Sequence, residues 1–264
     1  LYAALDWPDN VHIFSTEAPQ CVEFPALKCA VWGNAFTAPH REDDPLAGFQ
    51  ARGPEGWTRL AVLHGEAEGK GDYAPISKAS IAGSGLDYLA LGHIHQCSGL
   101  QREGNTFWAY PGCPEGRGFD ETGDKGVLAV TVDGTGGVSA EFVPLAGRNY
   151  EILTVDLTGA ESPEAALRAA LPAAPTGDIC RIVLTGEWDA PPDVPALTAL
   201  AEPYYYSLTL RDRSRRRREL WARAGEDSLT GLFLRALREK PPEELELAAR
   251  FGLAALENGE DPCP

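Results

Sequence analysis

Methionine is absent from the 264 residues, and the chain opens on leucine. Leu1 is therefore not a translation start, and further sequence is expected upstream of it. Long apolar runs are missing too. The apolar share of 44% is enough for a core, but no run approaches the ~20 residues that a bilayer-crossing helix needs. No membrane partner is expected, and no signal-peptide pattern opens the chain. The six cysteines, Cys21, Cys29, Cys97, Cys113, Cys180 and Cys263, form no CxxC pair, and their spacing matches neither a zinc ribbon nor a disulfide framework. They read as reduced thiols of a cytoplasmic protein. Positive charge is also scarce. With 23 Lys and Arg against 39 Asp and Glu, the net charge is −16, a field that repels nucleic acid. Contact with DNA then requires a local basic patch, and "RDRSRRRR", Arg211 to Arg218, is the candidate, with six arginines in eight residues.

Histidine is rare, five residues in all, so its placement is informative. "LALGHIHQC", residues 89–97, ends a nearly continuous apolar run in Gly92-His93-Ile94-His95. Such a run suits a strand covered on both faces. "TRLAVLHGE", residues 58–66, is a second apolar run that ends at His64. Between them "YAPISKASIAGSG" carries a weak helical pattern with Ile76, Ala79 and Ser80 on one side. Strand, helix and strand within about 35 residues suit a parallel βαβ unit with a right-handed crossover. In that unit both strands end on the same edge of the sheet, the edge where α/β folds bind ligands. His64 and the His93/His95 pair then converge. Residues two apart in an extended segment point the same way, so His93 and His95 face the site and Ile94 the core. Gly92 is placed to let the backbone turn. Three imidazoles in this arrangement are a metal-binding pattern. His12 and His40 show no such partners and read as structural.

The rest of the chain is expected to run as follows. "NVHIF" and "KCAVWGNAF" read as strands, and "TAPHREDDPLAGF" as a loop leading to a short helix. A strand at Thr106 to Tyr110 precedes a glycine-rich loop. A hairpin pairs Val127–Val132 with Val138–Val143 through a turn at Asp133-Gly134. A change of pattern near residue 148 marks a small α/β domain over 148–218, including a helix with Ser162 as N-cap and Pro163 at its first position. Two helices occupy 219–264. The last is apolar on two faces, Leu245, Ala248, Ala249 and Leu256 on one, Leu247, Phe251 and Ala254 on another, and so needs a second covering surface.

"LHGE", then "DYLALGHIH", then "YPGCPEGRGFDETGDKG" together resemble the last metal motifs and following loop of calcineurin-like metallophosphoesterases, and more closely the DNA-repair exonuclease branch, SbcD and its relatives. The resemblance covers residues 1–147, the C-terminal part of the nuclease domain, and extends more loosely to 148–218 as a capping domain. It implies an α/β metallophosphoesterase sandwich, here incomplete at the N-terminus, with two divalent ions, manganese by family habit. His64 matches the histidine of the fourth motif, and His93 and His95 those of the fifth. The family has His64 and His93 share one metal and His95 bind the other. The first three motifs of the family have no match here and belong upstream of Leu1. They would supply the bridging carboxylate, so the chain alone is expected to be inactive unless Glu66, or less plausibly Asp87, turns inward. Arg117 in the glycine-rich loop and Arg215, Arg216, Arg217 and Arg218 are candidates for substrate phosphate. Cys113 has no base in view and reads as a small loop residue rather than a nucleophile. The function implied is that of the metal-dependent DNA exonuclease or endonuclease subunit of an SMC-like ATPase–nuclease complex. Its partners would be DNA and an SbcC-type coiled-coil ATPase docked on the C-terminal helices, with a homodimer as a further expectation. A small-molecule or nucleotide phosphoesterase and a non-catalytic DNA-binding scaffold are the alternatives.

Overall fold

A computed structural model describes residues 5–67, 73–216, 222–237 and 245–258. In chain order the elements are β1 (Gln20–Phe24), β2 (Cys29–Gly33), β3 (Thr58–His64), β4 (Glu66–Ala67), β5 (Pro75–Ile76), α1 (Lys78–Gly83), β6 (Tyr88–Gly92), β7 (Gln101–Glu103), β8 (Thr106–Ala109), β9 (Gly126–Val132) and β10 (Val138–Pro144). They continue as β11 (Tyr150–Asp156), α2 (Pro163–Ala170), β12 (Ile179–Thr185), β13 (Glu187–Trp188), α3 (Val194–Ala201), β14 (Ser207–Asp212), β15 (Arg215–Arg216), α4 (Leu229–Leu237) and α5 (Leu245–Asn258).

A six-stranded sheet in the order β1-β2-β3-β6-β8-β7 dominates the first half. The four middle strands run parallel and both edge strands antiparallel. The βαβ unit expected from the two histidine-ended runs is present as β3, α1 and β6, with β3 and β6 adjacent and in parallel register. Its helix is shorter than the apolar pattern suggests, six residues. Ser77 caps it by accepting from the Ser80 amide, and Asp44 reaches back to the Ser77 amide at 3.1 Å and the Ser80 hydroxyl at 2.6 Å. Ile76 falls in β5 instead, and Ile81 is the buried residue of the helix.

Strand alternation gives the sheet one buried face. Trp32, Ala61, Leu89 and Trp108 form a row across four strands, joined by Leu63, Leu91, Ile76, Ile81 and Tyr110 in one cluster. Leu89, Ile76 and Ile81 are fully buried, each contributing about 1.5–3 kcal/mol relative to exposure. The other face is not closed in the same way, since Val62 in the middle of the sheet is 52% exposed. β6, the run read as covered on both faces, has no exposed residue along its length, whereas β3 alternates between buried and exposed residues toward its end. The "NVHIF" stretch forms no strand, and Val11 and Ile13 lie exposed. The charged loop at 37–49 ends in turns rather than a helix.

The chain divides into two compact units. The first comprises Leu1–Leu153, Pro172–Ile182 and Glu202–Thr209; the second comprises Thr154–Leu171, Val183–Ala201 and Leu210–Pro264. β9 and β10 form the expected hairpin, and β11, β12 and β14 a three-stranded sheet in the order β11-β12-β14. In the second unit Ser162 caps α2 as its sequence requires, its hydroxyl accepting from the Ala165 amide. α4 and α5 pack together through Leu234, Ala249 and Leu253. Leu229, Leu232, Phe251 and Leu256 stay exposed. Among the described residues no helix is long and apolar enough to cross a membrane.

Candidate functional site

His64 is the last residue of β3, and its register partner on β6 is Gly92. A Cβ on Gly92 would lie 3.1 Å from His64 Nδ1, so the missing side chain is what leaves the imidazole its space. The turn at the strand end is not made by Gly92, as the sequence suggests, but by His93, whose φ is +120°. That conformation favours glycine and is strained for histidine. It brings the His93 ring to 5.2 Å from the His64 ring, at 76° between planes. Phe36 meets His64 edge-on at 5.7 Å. Tyr73 lies 5.7 Å from His93, and His40 4.9 Å from Tyr73. His40 is thus one ring removed from the site rather than remote from it.

Because β6 stops at Gly92, His93-Ile94-His95 is a bend and not an extended segment. Ile94 is 39% exposed and does not face the core. His95 turns to a different partner. Its Nδ1 lies 2.6 Å from Oε1 of Glu121, 26 residues on in the glycine-rich loop. Oε2 of Glu121 accepts from the Arg117 backbone amide at 2.8 Å, and the Arg117 guanidinium stands 3.6 Å from Oε1. Lys125, buried in the same loop, donates from Nζ to the His95 carbonyl at 3.1 Å. The Cys113 thiol lies 3.6 Å from that carbonyl and 3.8 Å from Oε2 of Glu121. Among the described residues, His95, Cys113 and Glu121 form a group whose ligand atoms all lie within 4.8 Å of one another. A cavity of about 220 Å³, lined by Ile94, His95, Gln96, Asp120, Thr122 and Lys125, opens beside it.

The turn after His64 is held by Tyr110. Its hydroxyl donates to the Gly65 carbonyl at 2.5 Å and accepts from the Ala67 amide at 2.7 Å. Gly65 N–H reaches the Gly92 carbonyl at 3.1 Å, so the ladder between the two strands continues past the site residues.

Burial, then the nearby imidazoles of His93 and His95, holds the pKa of His64 below the ordinary histidine value, which favours the neutral, lone-pair-bearing ring. The hydrogen bond from His95, then the Arg117 amide, lowers Glu121 to about 2. A carboxylate that acidic is a poor proton acceptor, so its proximity does not make Cys113 an activated nucleophile.

Of the residues to which the sequence points, His64 and His93 meet ring to ring at the carboxyl edge of the sheet, and His95, two residues on, pairs with Glu121. Arg117 contacts Glu121, the partner of His95, with its side chain 77% exposed. Arg215 and Arg216 form β15 in the second unit and are exposed; Arg217 and Arg218 lie outside the described residues. Asp87 accepts from the Arg59 amide at the opposite end of the strands, and Glu66 belongs to β4. Neither is in the metal-capable group; the carboxylate there is Glu121. Sequence reasoning misses Glu121 and Lys125, because nothing local gives a loop residue a partner 26 or 30 positions away. The loop at 111–125 carries six charged residues, Glu115, Arg117, Asp120, Glu121, Asp124 and Lys125, so charge alone does not single out these two.

A mixed α/β fold with a central, mostly parallel sheet and imidazoles at its carboxyl edge is consistent with a metallophosphoesterase. No family model matches the chain. The chain is similar to the "Uncharacterized metallophosphoesterase YhaO" of Bacillus subtilis (strain 168), being 32% identical over 167 residues, which are 61% of this chain and 40% of that protein. It thus spans about two fifths of the length of the curated relative it matches.

Proposed function

We propose that the protein is a metal-dependent phosphoesterase of the calcineurin-like class, with His64, His93 and His95 as ligands to two divalent cations. The observation that carries the proposal is the meeting of His64 and His93, ring to ring at 5.2 Å, at the ends of adjacent parallel strands, with His95 two residues on. The donor set fits such ions: imidazole suits first-row divalent metals, and His64 is biased toward its neutral form. A bound cation would supply Lewis acidity at a phosphate oxygen and an acidified water. The chain's own residues place the donors. Gly92 leaves room for His64, His93 takes the strained turn, and Tyr110 fixes the segment after His64.

The narrower reading is a DNA nuclease subunit using manganese and working with an SMC-like ATPase, with residues 148–218 as a small additional α/β domain. Two features support a polymer over a small molecule. The cavity beside His95, about 220 Å³, is smaller than the 300–1,000 Å³ typical of pockets that enclose a whole ligand, and suits one phosphate group of a longer chain. Arg215 and Arg216 form an exposed basic strand in an otherwise acidic protein. The test is manganese-dependent hydrolysis of a generic phosphodiester and of linear duplex DNA by the protein as encoded. His93→Ala and His95→Ala should each reduce both activities to background while leaving the circular dichroism unchanged. Wild-type rates in both variants would remove the assignment, and hydrolysis of the generic ester without DNA would remove only the nuclease reading.

A further inference from the structure

We infer that Glu121 is a positioning residue: its carboxylate holds His95 as the Nδ1–H tautomer and so leaves Nε2 as the bare, ligating nitrogen. The purpose of this arrangement rests on the metal-dependent reading above, but the tautomer can be read without any metal.

The contact is short, 2.6 Å from Nδ1 to Oε1. An ionised carboxylate only accepts, so the shared proton sits on Nδ1. A neutral imidazole carries one N–H, and the other nitrogen is then a lone pair available to a cation. The carboxylate is itself fixed. Glu121 is 9% exposed, the Arg117 amide holds Oε2 at 2.8 Å, and the Arg117 guanidinium adds charge beside Oε1. The same loop grips His95 a second time through its backbone. Lys125, 5% exposed, donates to the His95 carbonyl at 3.1 Å. Glu121 and Lys125 are the buried charged residues among those described, and both are directed at one half-exposed histidine. A solvated surface ion pair needs neither burial nor two separate attachments. In the orienting arrangement the carboxylate stays hydrogen-bonded to the ring. Were His95, Cys113 and Glu121 themselves the ligands, Nδ1 and Oε1 would have to separate to make room for an ion between them.

The experiment uses nitrogen-15-labelled histidine in the metal-free protein, with long-range proton–nitrogen correlation spectra to identify which nitrogen carries the proton. Wild type should show His95 with Nδ1 protonated. Glu121→Ala should lose that preference, and Glu121→Gln, whose amide oxygen still accepts, should keep it. Manganese affinity by electron paramagnetic resonance should fall about 10–100-fold in Glu121→Ala and less in Glu121→Gln, the usual scale for removing the partner of a metal-bound histidine. Cys113→Ser should change neither. A proton on Nε2 in wild type, or an unchanged tautomer and affinity in Glu121→Ala, overturns the inference. A cobalt–thiolate absorption band that vanishes in Cys113→Ser also overturns it, because the trio would then be the ligand set. Undiminished manganese affinity in His95→Ala would instead overturn the proposed function and leave the tautomer result standing.

Discussion

At the scale of single residues, the site depends on backbone features that no side-chain list contains. His93 holds φ at +120°, where only glycine is relaxed. His93→Gly and His93→Ala should both abolish metal-dependent activity, yet the glycine variant should be the more stable by about 1 kcal/mol or more, since it alone relieves the strain. Equal urea midpoints would show that the turn is not strained. Gly92→Ala should lower activity, because the added Cβ at 3.1 Å from Nδ1 displaces the His64 ring. Unchanged activity would mean that the ring has room to move. Glu121 gives a pH prediction. Its folded pKa, about 2, is depressed below the ordinary 4.5. The stability it contributes is therefore present above pH 4.5 and is lost as pH falls through 2. Wild type should exceed Glu121→Gln in urea midpoint at neutral pH, and the gap should close across that window. A gap that persists below pH 2 would assign the effect to packing.

At the scale of elements, Tyr110 joins β8 to the turn between β3 and β4. Tyr110→Phe leaves the Ala67 amide and Gly65 carbonyl without their partner in a buried place, and should cost roughly 1–3 kcal/mol. Thermal unfolding would check this; a loss below a few tenths of a kcal/mol would indicate that another group takes over. These elements also show how much of the fold is legible in sequence. The two strands that carry the histidines are readable because each is an apolar run that stops at a polar residue, and the spacing between them suits one crossover. The edge strands β1 and β7 are not, since "QCVEF" and "QRE" show weak or no alternation and owe their pairing to neighbours. "NVHIF" has the right residue types and no partner strand among the described residues. The Glu121–His95 contact is invisible in sequence because a loop has no period, so nothing in the intervening residues encodes where it folds back. His40 escapes a sequence reading for the same reason, its link to the site running through Tyr73 from another segment.

At the scale of the molecule, the proposed action on DNA requires a chain of net charge −16 to present cations together. Changing Arg215, Arg216, Arg217 and Arg218 to glutamine should flatten the salt dependence of DNA binding by about 0.9 in log–log slope for each phosphate no longer neutralised. An unchanged slope would give the arginine run another role. The proposed ATPase docking on the C-terminal helices predicts that deleting residues 226–264 abolishes co-purification with the coiled-coil partner while Leu1–Leu153 keeps its fold; retained co-purification would remove that idea. The register that sets His64 opposite Gly92 also restricts how the chain can change in length. Side chains alternate with a period of two, so a one-residue insertion within 60–64 or 88–92 would swing a histidine to the wrong face of the sheet. An insertion in the turn at 133–137, between β9 and β10, changes no such parity. Length variation among natural homologues should therefore be forbidden in the first two segments and common in the third, so that a catalogue of gaps alone would mark the site.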